Sequence, residues 1–287
     1  DNFLPGQDCW STVRCIRQLG VEITELAPNR LQVHGCSLDG LKEPDDYLDV
    51  GNSGTTMRLL AGVLAGQEFL SILTGDHTIR RRPMARIAEP LRQMGAQVWG
   101  RGNGRFAPLA IKGGHLRAID YLTPVASAQI KSAVLLAGLY GQGVTSVTEP
   151  ALSRDHTEKM LAAFGANIKI EGLTTSIGPG PLTAQPITVP GDISSAAFFL
   201  VAGAIVPGSC LTISKVGLNP TRTGILDVLR EMGADITITN QSLTSGEPMG
   251  DITVSGHGLK GVSIGGSLIP RLIDEIPVLA VAAAAAE

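Results

Sequence analysis

The pattern of apolar and polar residues along the chain alternates between two kinds of predicted helix. The first kind is amphipathic, ends at a glycine and leads into a short stretch of alternating residues, as in LRQMGAQV, LREMGADI, IRQLGVEI and LAAFGANI. Glycine with a positive φ commonly closes a helix, and strict alternation is typical of a strand. The glycines of successive copies are 75, 70 and 68 residues apart and lie at positions 20, 95, 165 and 233. Each copy therefore predicts a helix, a glycine cap and a strand.

The second kind of helix is apolar nearly all round and opens with small polar or acidic residues. Four segments have this pattern, and they begin at Gly51, Ser127, Gly191 and Ile273. A helix that is apolar on every side is typical of a buried one. The alternation predicts a repeated unit of about 70 residues, in which a buried helix and an amphipathic helix are separated by strands. Sheets covered by helices follow from such a unit.

The repeat is incomplete at both ends of the sequence. An amphipathic helix is predicted from about Gln7 to Leu19 with no buried helix before it, and the last buried helix reaches Glu287 with no amphipathic helix after it. In the complete copies the two kinds of helix start about 26 to 30 residues apart, so a further buried helix is expected about 20 residues before Asp1. We expect the sequence to be a fragment that lacks both ends.

The composition is typical of a globular protein and argues against nucleic acid and membranes as partners. Hydrophobic residues make up 44% and charged residues 17% of the 287 residues. This composition excludes an intrinsically disordered protein, which combines low hydrophobicity with a high net charge. A formal net charge of −3 gives no general affinity for nucleic acid or for an anionic membrane. The longest apolar run, Ile276 to Ala286, is too short to span a bilayer. We expect a cytoplasmic protein, or a stromal one if the source is a plant or alga.

Neither the cysteines nor any common nucleotide-binding or metal-binding motif identifies a reaction. Four dispersed cysteines without a C-x-x-C pair favour free thiols in a reducing compartment. The sequence has no Walker A motif, no G-x-G-x-x-G after a strand and no H-E-x-x-H, and its five histidines form no metal-ligand pattern. These observations point away from zinc, redox and nucleotide-binding motifs.

The starts of the buried helices are the candidate binding positions. Unpaired N–H groups and the positive end of the helix dipole make a helix start a potential anion site. The simpler interpretation is that the serine, asparagine and aspartate residues there only cap their helices. Equivalent positions in a repeat bring several starts together, and Gly51 and Gly54 would let a ligand approach the backbone closely.

Cations and acids stand near these helix starts. Arg58 lies one turn into its helix, where a surface role is equally open, and Arg80 to Arg82 precede Pro83, which we place at the first helical position. Arg154 and His156 start another amphipathic helix, where capping and ligand binding are both open interpretations. Asp274 and Glu275 open the last buried helix, where a carboxylate among cations could act as a general base. The residues alone predict a protein for small, multiply anionic ligands and leave the reaction open.

Seven segments of the sequence resemble one family. The motifs occur in order along essentially the whole chain: GNSGTTMR, GDHTIRRRPMARIAEPLRQMGA, SAQIKSAVLLAGL, SRDHTEKMLAAFGA, VPGDISSAAFFLVAGAI, LNPTRTG and PRLIDEIPVLAVAA. They are similar to the motifs of EPSP synthases, the 3-phosphoshikimate 1-carboxyvinyltransferases. The resemblance implies an α/β (α+β) fold, a two-domain inside-out barrel of repeated βαβαββ units. It implies a first domain over residues 1–189, a second over 190–287, and a hinge near Thr188 to Asp192.

The resemblance also implies a reaction and a set of site residues. The family transfers the enolpyruvyl group of phosphoenolpyruvate to the 5-hydroxyl of shikimate 3-phosphate and releases phosphate, without a metal or another cofactor. By resemblance, Asn52, Gly54 and Arg82 contact phosphoenolpyruvate, and Gln129 touches both substrates. No partner beyond the two small-molecule substrates is implied, neither nucleic acid nor membrane, and we expect a monomer.

The second substrate has its own implied residues. By resemblance, Ser127 and Ala128 hold the phosphate of shikimate 3-phosphate with the help of Arg154. Asp274 corresponds to the family aspartate that binds the shikimate hydroxyls and accepts a proton. The reaction passes through a tetrahedral adduct, so fixed cations at the site should matter most.

The sequence departs from the family pattern in two places, and two other functions remain open. The family's K-S-x-S-H-R and K-E-S-D-R elements are absent from the sequence, so we expect these 287 residues to be inactive alone. One alternative is the sister transferase that acts on UDP-N-acetylglucosamine, which carries a cysteine in a Pro-Gly loop; here Cys210 follows Pro207, Gly208 and Ser209. The other is a truncated chain that binds a ligand without catalysis.

Gly54 supports a prediction about inhibition. In this family the herbicide glyphosate competes with phosphoenolpyruvate, and a Cβ at this glycine crowds it. With glycine present, the complete enzyme is expected to be inhibited by glyphosate.

Overall fold

One arrangement of strands and helices, β-α-β-α-β-β, recurs along the chain. The computed structural model describes residues 1–266 and 268–287 with their side chains, and residue 267 by its backbone. The helices are α1 (Gln7–Gln18), α2 (Gly54–Ala65), α3 (Ala85–Gln93), α4 (Arg101–Gly104), α5 (Ala128–Gly138), α6 (His156–Ala163), α7 (Ile193–Ile205), α8 (Gly224–Glu231) and α9 (Ile276–Ala284). Short 3₁₀ turns occupy Ile79–Arg81, Gly266–Arg271 and Ile273–Glu275.

The strands are short, and most pair with neighbours close in sequence. They are β1 (Glu22–Ala27), β2 (Arg30–His34), β3 (Leu48–Asp49), β4 (Leu70–Thr74), β5 (Gln97–Gly100), β6 (Phe106–Lys112), β7 (Leu116–Arg117), β8 (Asp120–Leu122), β9 (Gly141–Gln142), β10 (Thr145–Thr148), β11 (Ile168–Glu171), β12 (Thr174–Ile177), β13 (Cys210–Gly217), β14 (Asp235–Thr244) and β15 (Glu247–Ser255).

The sheets show the repeat directly. One sheet has the order β3-β4-β6-β5 and another the order β8-β10-β12-β11. In both, the first two strands are parallel and the last two form an antiparallel hairpin. The third sheet, β13-β15-β14, lacks only the first strand, whose place is taken by a parallel bridge between Gly191 and Val216. The predicted repeat is therefore confirmed, with α1, β1 and β2 matching the end of a further copy.

The predicted glycine caps are present in all copies of the helix-to-strand turn. Gly20, Gly95, Gly165 and Gly233 have φ values of 87°, 110°, 80° and 96°. Each follows an amphipathic helix and precedes a strand: β1, β5, β11 or β14. Because a side chain is disfavoured at these φ values, glycine is the residue that ends each helix and turns the chain into the sheet.

The chain divides into two compact units. Unit 1 comprises Asp1–Pro150 and Leu161–Pro186, and unit 2 comprises Ala151–Met160 and Ile187–Glu287. The observed division after Pro186 falls three residues before the boundary expected from the resemblance. The segment Ala151–Met160, which that expectation assigned to the first domain, lies in unit 2. This segment contains Arg154, so its place matters for the site.

The core of unit 1 is built on α2 and α5, as the apolar pattern predicts. Both helices are buried along most of their length. A Cβ on Gly62 of α2 would lie 2.2 Å from the carbonyl oxygen of Ala133 in α5. Only glycine permits this close approach of the two backbones. None of the helices in the described residues is long and apolar enough to cross a membrane.

The core of unit 2 is built on one face each of α7 and α9. Ala197, Leu200 and Leu279 are buried in it, but Phe198 and Phe199 of α7 are 62% and 61% exposed. The prediction that these two helices are buried on all sides is therefore wrong for the chain as it stands. Within the described residues, no element covers the outer face of α7, although its composition is typical of a covered helix.

Pro83 does not occupy the first helical position. The carboxylate of Asp76 accepts from the backbone N–H of Ile79 and starts a separate 3₁₀ turn. Arg82 then has the extended φ and ψ values of −73° and 141°, as residues before proline prefer. Helix α3 begins two residues after Pro83, so Arg80 and Arg81 belong to the 3₁₀ turn instead.

Candidate functional site

An open cleft in unit 1 contains all the residues that the resemblance assigned to phosphoenolpyruvate. It has a volume of about 440 Å³ and is lined by Gln7, Asp8, Asn52, Ser53, Gly54, Thr55, Arg82 and Gln129. Four of these residues begin or precede α2, so the cleft opens onto the N-terminus of that helix. The backbone dipole of α2 and the nearby guanidinium groups favour an anion in this position.

Asn52 connects the two loops at the edge of the cleft. Its amide nitrogen donates to Asp76 Oδ2 at 2.8 Å and to Thr78 Oγ1 at 2.6 Å, and its Oδ1 accepts from Arg82 Nη2 at 2.7 Å. Backbone N–H donation from Ile79 and a hydrogen bond from Thr78 are the main causes that lower the pKa of Asp76 to about 2. Asp76 therefore stays ionised at neutral pH and holds Asn52 in one orientation.

Arg58 lies beneath the same cleft and is 8% exposed, so the surface role considered for it is wrong. Its Nη1 donates to Gln129 Oε1 at 2.6 Å, and Gln129 Nε2 donates to Thr55 Oγ1 at 3.0 Å. Burial, with smaller contributions from the positive charges of Arg86 and Arg82, lowers the pKa of Arg58. Arginine nevertheless remains charged, so Arg58 adds a buried positive charge to the cleft and orients Gln129.

Gly54 separates the two arginines of the cleft. A Cβ at this position would lie 2.9 Å from Arg82 Nη1 and 3.0 Å from Arg58 Nη1. The backbone of Gly54 does not require a positive φ, so the constraint is the space beside the guanidinium groups. Glycine thus keeps both positive groups close to the start of α2.

Ser127 and Ala128 lie at the start of α5, where the resemblance places a phosphate. Ser127 is the N-cap residue, but its side chain makes no capping hydrogen bond. Ser53 and Asp192, in contrast, cap α2 and α7 through their side chains. The capping interpretation is therefore confirmed for Ser53 and Asp192 and does not account for the Ser127 hydroxyl.

A buried ion pair supports the start of α5, and the sequence analysis missed it. Lys131 Nζ donates to Glu149 Oε2 at 2.6 Å, and both side chains are 2% exposed. Glu149 Oε1 accepts from the backbone N–H of Ser127 at 3.2 Å. The pair fixes the first turn of α5 against the end of β10. Lys131 is the one charged residue of α5, and this was the signal that could have revealed the pair.

Unit 2 brings Arg154 and Asp274 together, although 120 residues separate them. The Nη2 group of Arg154 donates to Oδ2 of Asp274. The two side chains remain 32% and 51% exposed, so both are accessible to a ligand. The structure therefore pairs the residue assigned to the substrate phosphate with the residue assigned to proton acceptance.

Arg222 is a second cation beside Asp274 that sequence reasoning did not assign. Its Nη2 lies 3.8 Å from Asp274 Oδ2 and 3.7 Å from both Asp192 Oδ1 and Glu275 Oε1. It also donates to Ser194 Oγ, which in turn donates to Glu275 Oε1. Arg222 belongs to LNPTRTG, a motif quoted for the resemblance but given no role.

Asp155, His156 and Glu247 form the closest approach to a metal-ligand set in the described residues, with ligand atoms within 4.8 Å of one another. Protein donors already engage these groups. Lys159 Nζ donates to both oxygens of Asp155, and Asn219 Nδ2 donates to Asp155 and Glu247 at 2.7 and 3.0 Å. The geometry is that of a hydrogen-bonded network that fastens the start of α6.

Two acids of this network have shifted pKa values. Burial alone would raise the pKa of Asp155, but hydrogen bonds from Lys159 and Asn219 outweigh it and leave the pKa lowered. Burial would likewise raise the pKa of Glu247, but His156 and Asn219 outweigh it. Both carboxylates are thus stabilised as anions. Arg154 directly precedes Asp155 in the chain, so the network holds the segment that carries this arginine.

The site residues expected from the sequence fall into two groups. Asn52, Gly54, Arg82 and Gln129 line the unit 1 cleft, and Ser127 and Ala128 begin α5 in the same unit. Arg154 and Asp274 form an ion pair in unit 2. Cys210 begins β13, is exposed, and like the other three cysteines of the described chain is free. Each unit therefore presents cationic and hydrogen-bonding groups suited to anions.

Comparison with known proteins gives one family throughout. A sequence model of EPSP synthase (3-phosphoshikimate 1-carboxyvinyltransferase) matches residues 1–287. Curated 3-phosphoshikimate 1-carboxyvinyltransferases are 59% identical over 288 residues in Geobacillus thermodenitrificans and 57% identical over 284 residues in Desulforamulus reducens. These alignments cover 100% and 99% of this chain and 66% of each relative. The chain thus spans slightly less than two thirds of the length of these relatives.

Solved structures agree with the sequence comparison. The 2.37 Å structure of EPSP synthase from Acinetobacter baumannii superposes with a TM-score of 0.92 at 48% identity, covering 99% of this chain and 65% of that one. A second structure of the enzyme from that organism also has a TM-score of 0.92, at 49% identity. The fold that the resemblance implied is confirmed. Because the family model matches the whole sequence and close relatives share its fold, the chain belongs to the EPSP synthase family.

Proposed function

We propose that the whole protein transfers the enolpyruvyl group of phosphoenolpyruvate to the 5-hydroxyl of shikimate 3-phosphate and releases phosphate. The observation that carries this proposal is the unit 1 cleft, in which Arg58 and Arg82 flank Gly54 at the start of α2. Phosphoenolpyruvate has a carboxylate and a phosphate, and two guanidinium groups at a helix N-terminus match such a multiply charged anion. The names of the relatives support the same assignment.

In this proposal the cleft binds phosphoenolpyruvate through Asn52, the backbone at Gly54 and Arg82. Fixed positive groups do not need to reorganise as charge develops on the tetrahedral adduct, so they lower its energy relative to the ground state. The hydrogen bonds of Asn52 to Asp76 and Thr78 support this fixed arrangement. Gln129, oriented by Arg58, is proposed to contact both substrates.

Shikimate 3-phosphate is proposed to bind through its phosphate to Ser127, Ala128 and Arg154, and through its hydroxyls to Asp274. The unused side-chain hydroxyl of Ser127 and the exposed guanidinium of Arg154 support the first part. A carboxylate is suited to accept the proton that the 5-hydroxyl loses as its oxygen attacks C2 of phosphoenolpyruvate while C3 takes up a proton. Loss of phosphate from C2 and of a proton from C3 then restores the double bond of the enolpyruvyl group. The division at residues 189 and 190, the cytoplasmic location and the monomeric state remain parts of this proposal.

A turnover assay with the full-length protein tests the function. Phosphate release is measured with phosphoenolpyruvate and either shikimate 3-phosphate or UDP-N-acetylglucosamine. Release that requires shikimate 3-phosphate supports the proposal, and an Arg82→Gln variant should lose most of it, as expected for a charge that stabilises the adduct. Release only with the sugar nucleotide would replace this function by that of the sister transferase. No release with either acceptor would refute both.

A further inference from the structure

Two arginines lie close to the same carboxylate oxygen of Asp274. Arg154 donates to Oδ2, and Nη2 of Arg222 lies 3.8 Å from that same Oδ2. Under the proposed function, on which this inference rests, Arg154 also serves the phosphate of the substrate. A guanidinium that turns to a phosphate weakens its bond to the carboxylate, so Asp274 then needs another cation to stay in place.

Arg222 is built to remain where it is. Its side chain is 14% exposed, whereas that of Arg154 is 32% exposed. Ser194 Oγ accepts from Arg222 and passes a hydrogen bond to Glu275, whose side chain is 1% exposed. Moving Arg222 toward a ligand would leave that buried carboxylate without its cation, which is costly. Arg222 is therefore the immobile member of the two arginines.

The backbone of Arg222 is equally fixed. Its N–H donates to the carbonyl oxygen of Asn219 at 2.8 Å. The side-chain Oδ1 of Asn219 accepts from the backbone N–H and the hydroxyl of Thr221 at 2.9 and 2.7 Å. These bonds close a tight turn of the kind that asparagine stabilises. Asn219 Nδ2 also donates to Asp155 at 2.7 Å, next to Arg154 in sequence.

The LNPTRTG motif thus contacts Asp274 itself and Asp155, the residue that follows Arg154. Through Asn219 it holds the segment that carries Arg154, and through Arg222 it holds the carboxylate of Asp274. The turn between residues 219 and 222 fixes the spacing of these two contacts.

We propose that Arg222 is a positioning residue for Asp274. The guanidinium of Arg222 supplies the counter-charge of this carboxylate when Arg154 turns to the substrate phosphate. Arg154 is then the substrate-binding arginine, and the two arginines affect different kinetic constants. Loss of Arg154 weakens substrate binding. Loss of Arg222 leaves the substrate bound but misplaces the proton acceptor.

Steady-state kinetics of the full-length enzyme tests this division of roles. Arg222→Gln should lower kcat by about 30-fold or more with less than about a threefold change in KM for shikimate 3-phosphate. Arg154→Gln should raise that KM by about tenfold or more. Arg222→Lys, which keeps the charge, should recover part of the lost kcat. The matched control is Arg230→Gln on α8, whose guanidinium donates to the carbonyl oxygen of Ile236.

A purely structural role gives a different result. If Arg222 only neutralises Glu275, Arg222→Gln lowers the melting temperature but the folded enzyme keeps a kcat within about threefold of wild type, which would overturn the proposal. Ser194→Ala provides a second test if Arg222→Gln does not fold. This change removes only the hydroxyl bridge, and a kcat lowered by about fivefold or more at an unchanged KM supports the proposal, whereas an unchanged kcat contradicts it. Lack of turnover in the wild-type enzyme refutes the proposed function and this inference with it.

Discussion

The guanidinium of Arg82 donates to the side-chain oxygen of Asn52 across 2.7 Å, although 30 residues separate them in sequence. The amide nitrogen of Asn52 is held at the same time by Asp76 and Thr78. Since the amide cannot turn without losing these bonds, its oxygen stays directed at Arg82. The position of the principal cation of the cleft is therefore set by an aspartate that does not line it.

The first prediction concerns Asp76. The pKa of its carboxyl is about 2 in the folded chain against an ordinary value of 3.8, so its ionisation stabilises the fold above about pH 4. This contribution is lost as the pH falls through the folded pKa. Asp76→Asn should remove it and should raise KM for phosphoenolpyruvate by about tenfold, because Asn52 is released.

Thermal melts between pH 2 and pH 5 check the predicted loss of stability, and enzyme kinetics checks the predicted rise in KM for phosphoenolpyruvate. The matched control is Asp46→Asn, since Asp46 is exposed and accepts from the backbone N–H of its neighbour Tyr47. An Asp76→Asn variant whose acid melting curve and KM both follow those of the control would contradict the account.

The second prediction concerns Gly54. A Cβ there would lie 2.9 Å from Arg82 and 3.0 Å from Arg58, so Gly54→Ala displaces the guanidinium groups that flank the start of α2. The free energy of unfolding should change by no more than about 1 kcal/mol, because Gly54 is the first residue of α2 and alanine is favoured over glycine in a helix by at most about this amount. Inhibition of the full-length enzyme by glyphosate should weaken more than the affinity for phosphoenolpyruvate. Equal weakening of both would refute the steric explanation.

The third prediction concerns the ion pair beneath α5. Lys131 and Glu149 are both 2% exposed and 2.6 Å apart. Removal of one partner from a buried pair leaves an uncompensated charge and typically costs about 3–5 kcal/mol. Lys131→Met should lower the free energy of unfolding of unit 1 by this amount in denaturant titrations. Lys169→Met, in an exposed pair with Glu171, should cost less than about 1 kcal/mol; similar losses in both variants would argue against a special role for the buried pair.

The fourth prediction concerns Asn219, which is 2% exposed and bonds to Asp155, Glu247 and Thr221. Asn219→Ala should destabilise unit 2 by about 1–3 kcal/mol, because the partly buried carboxylates of Asp155 and Glu247 lose a donor. It should also raise the pKa values of Asp155 and Glu247. Their lowered pKa values stabilise the fold at neutral pH and cease to do so as the pH falls through them, so the variant should lose less stability on acidification.

NMR titration of the two carboxyl groups and melts at two pH values test this prediction. Asn240→Ala is the control, because Asn240 donates to Asp251 on an exposed strand. Unchanged carboxyl pKa values in Asn219→Ala would mean that the amide does not stabilise the two anions.

The sequence predicted what depends on local chemistry. The four glycine caps, the strands that follow them and the repeated unit all come from φ preferences and apolar periodicity, which act within a few residues. The cleft residues Asn52, Gly54 and Arg82 were identified through motifs that resemble a family. These features need no knowledge of distant contacts.

Tertiary pairings were not predictable in the same way. Lys131 and Glu149 are 18 residues apart, and Arg222 meets an aspartate, Asp274, that belongs to the last 3₁₀ turn of the chain. Periodicity says which face of a helix is apolar, but it does not say which distant acid meets a buried cation. The prediction that α7 is buried on all sides failed for a similar reason. An apolar outer face is compatible with burial, but it does not say which other element covers that face.

The most direct test of the account is a thermal shift of the 287-residue chain with shikimate 3-phosphate, with UDP-N-acetylglucosamine as the control. A ligand at about 100 times its Kd adds about 2.7 kcal/mol to the stability of the folded state, which corresponds to roughly 5 °C or more in Tm for units of this size. The account predicts such a shift with shikimate 3-phosphate alone, and its reduction in Ser127→Ala and Arg154→Gln. A shift with the sugar nucleotide alone would contradict the proposed function. The absence of a shift with shikimate 3-phosphate, on a chain that melts cooperatively, would contradict the assignment of Ser127 and Arg154 to this substrate.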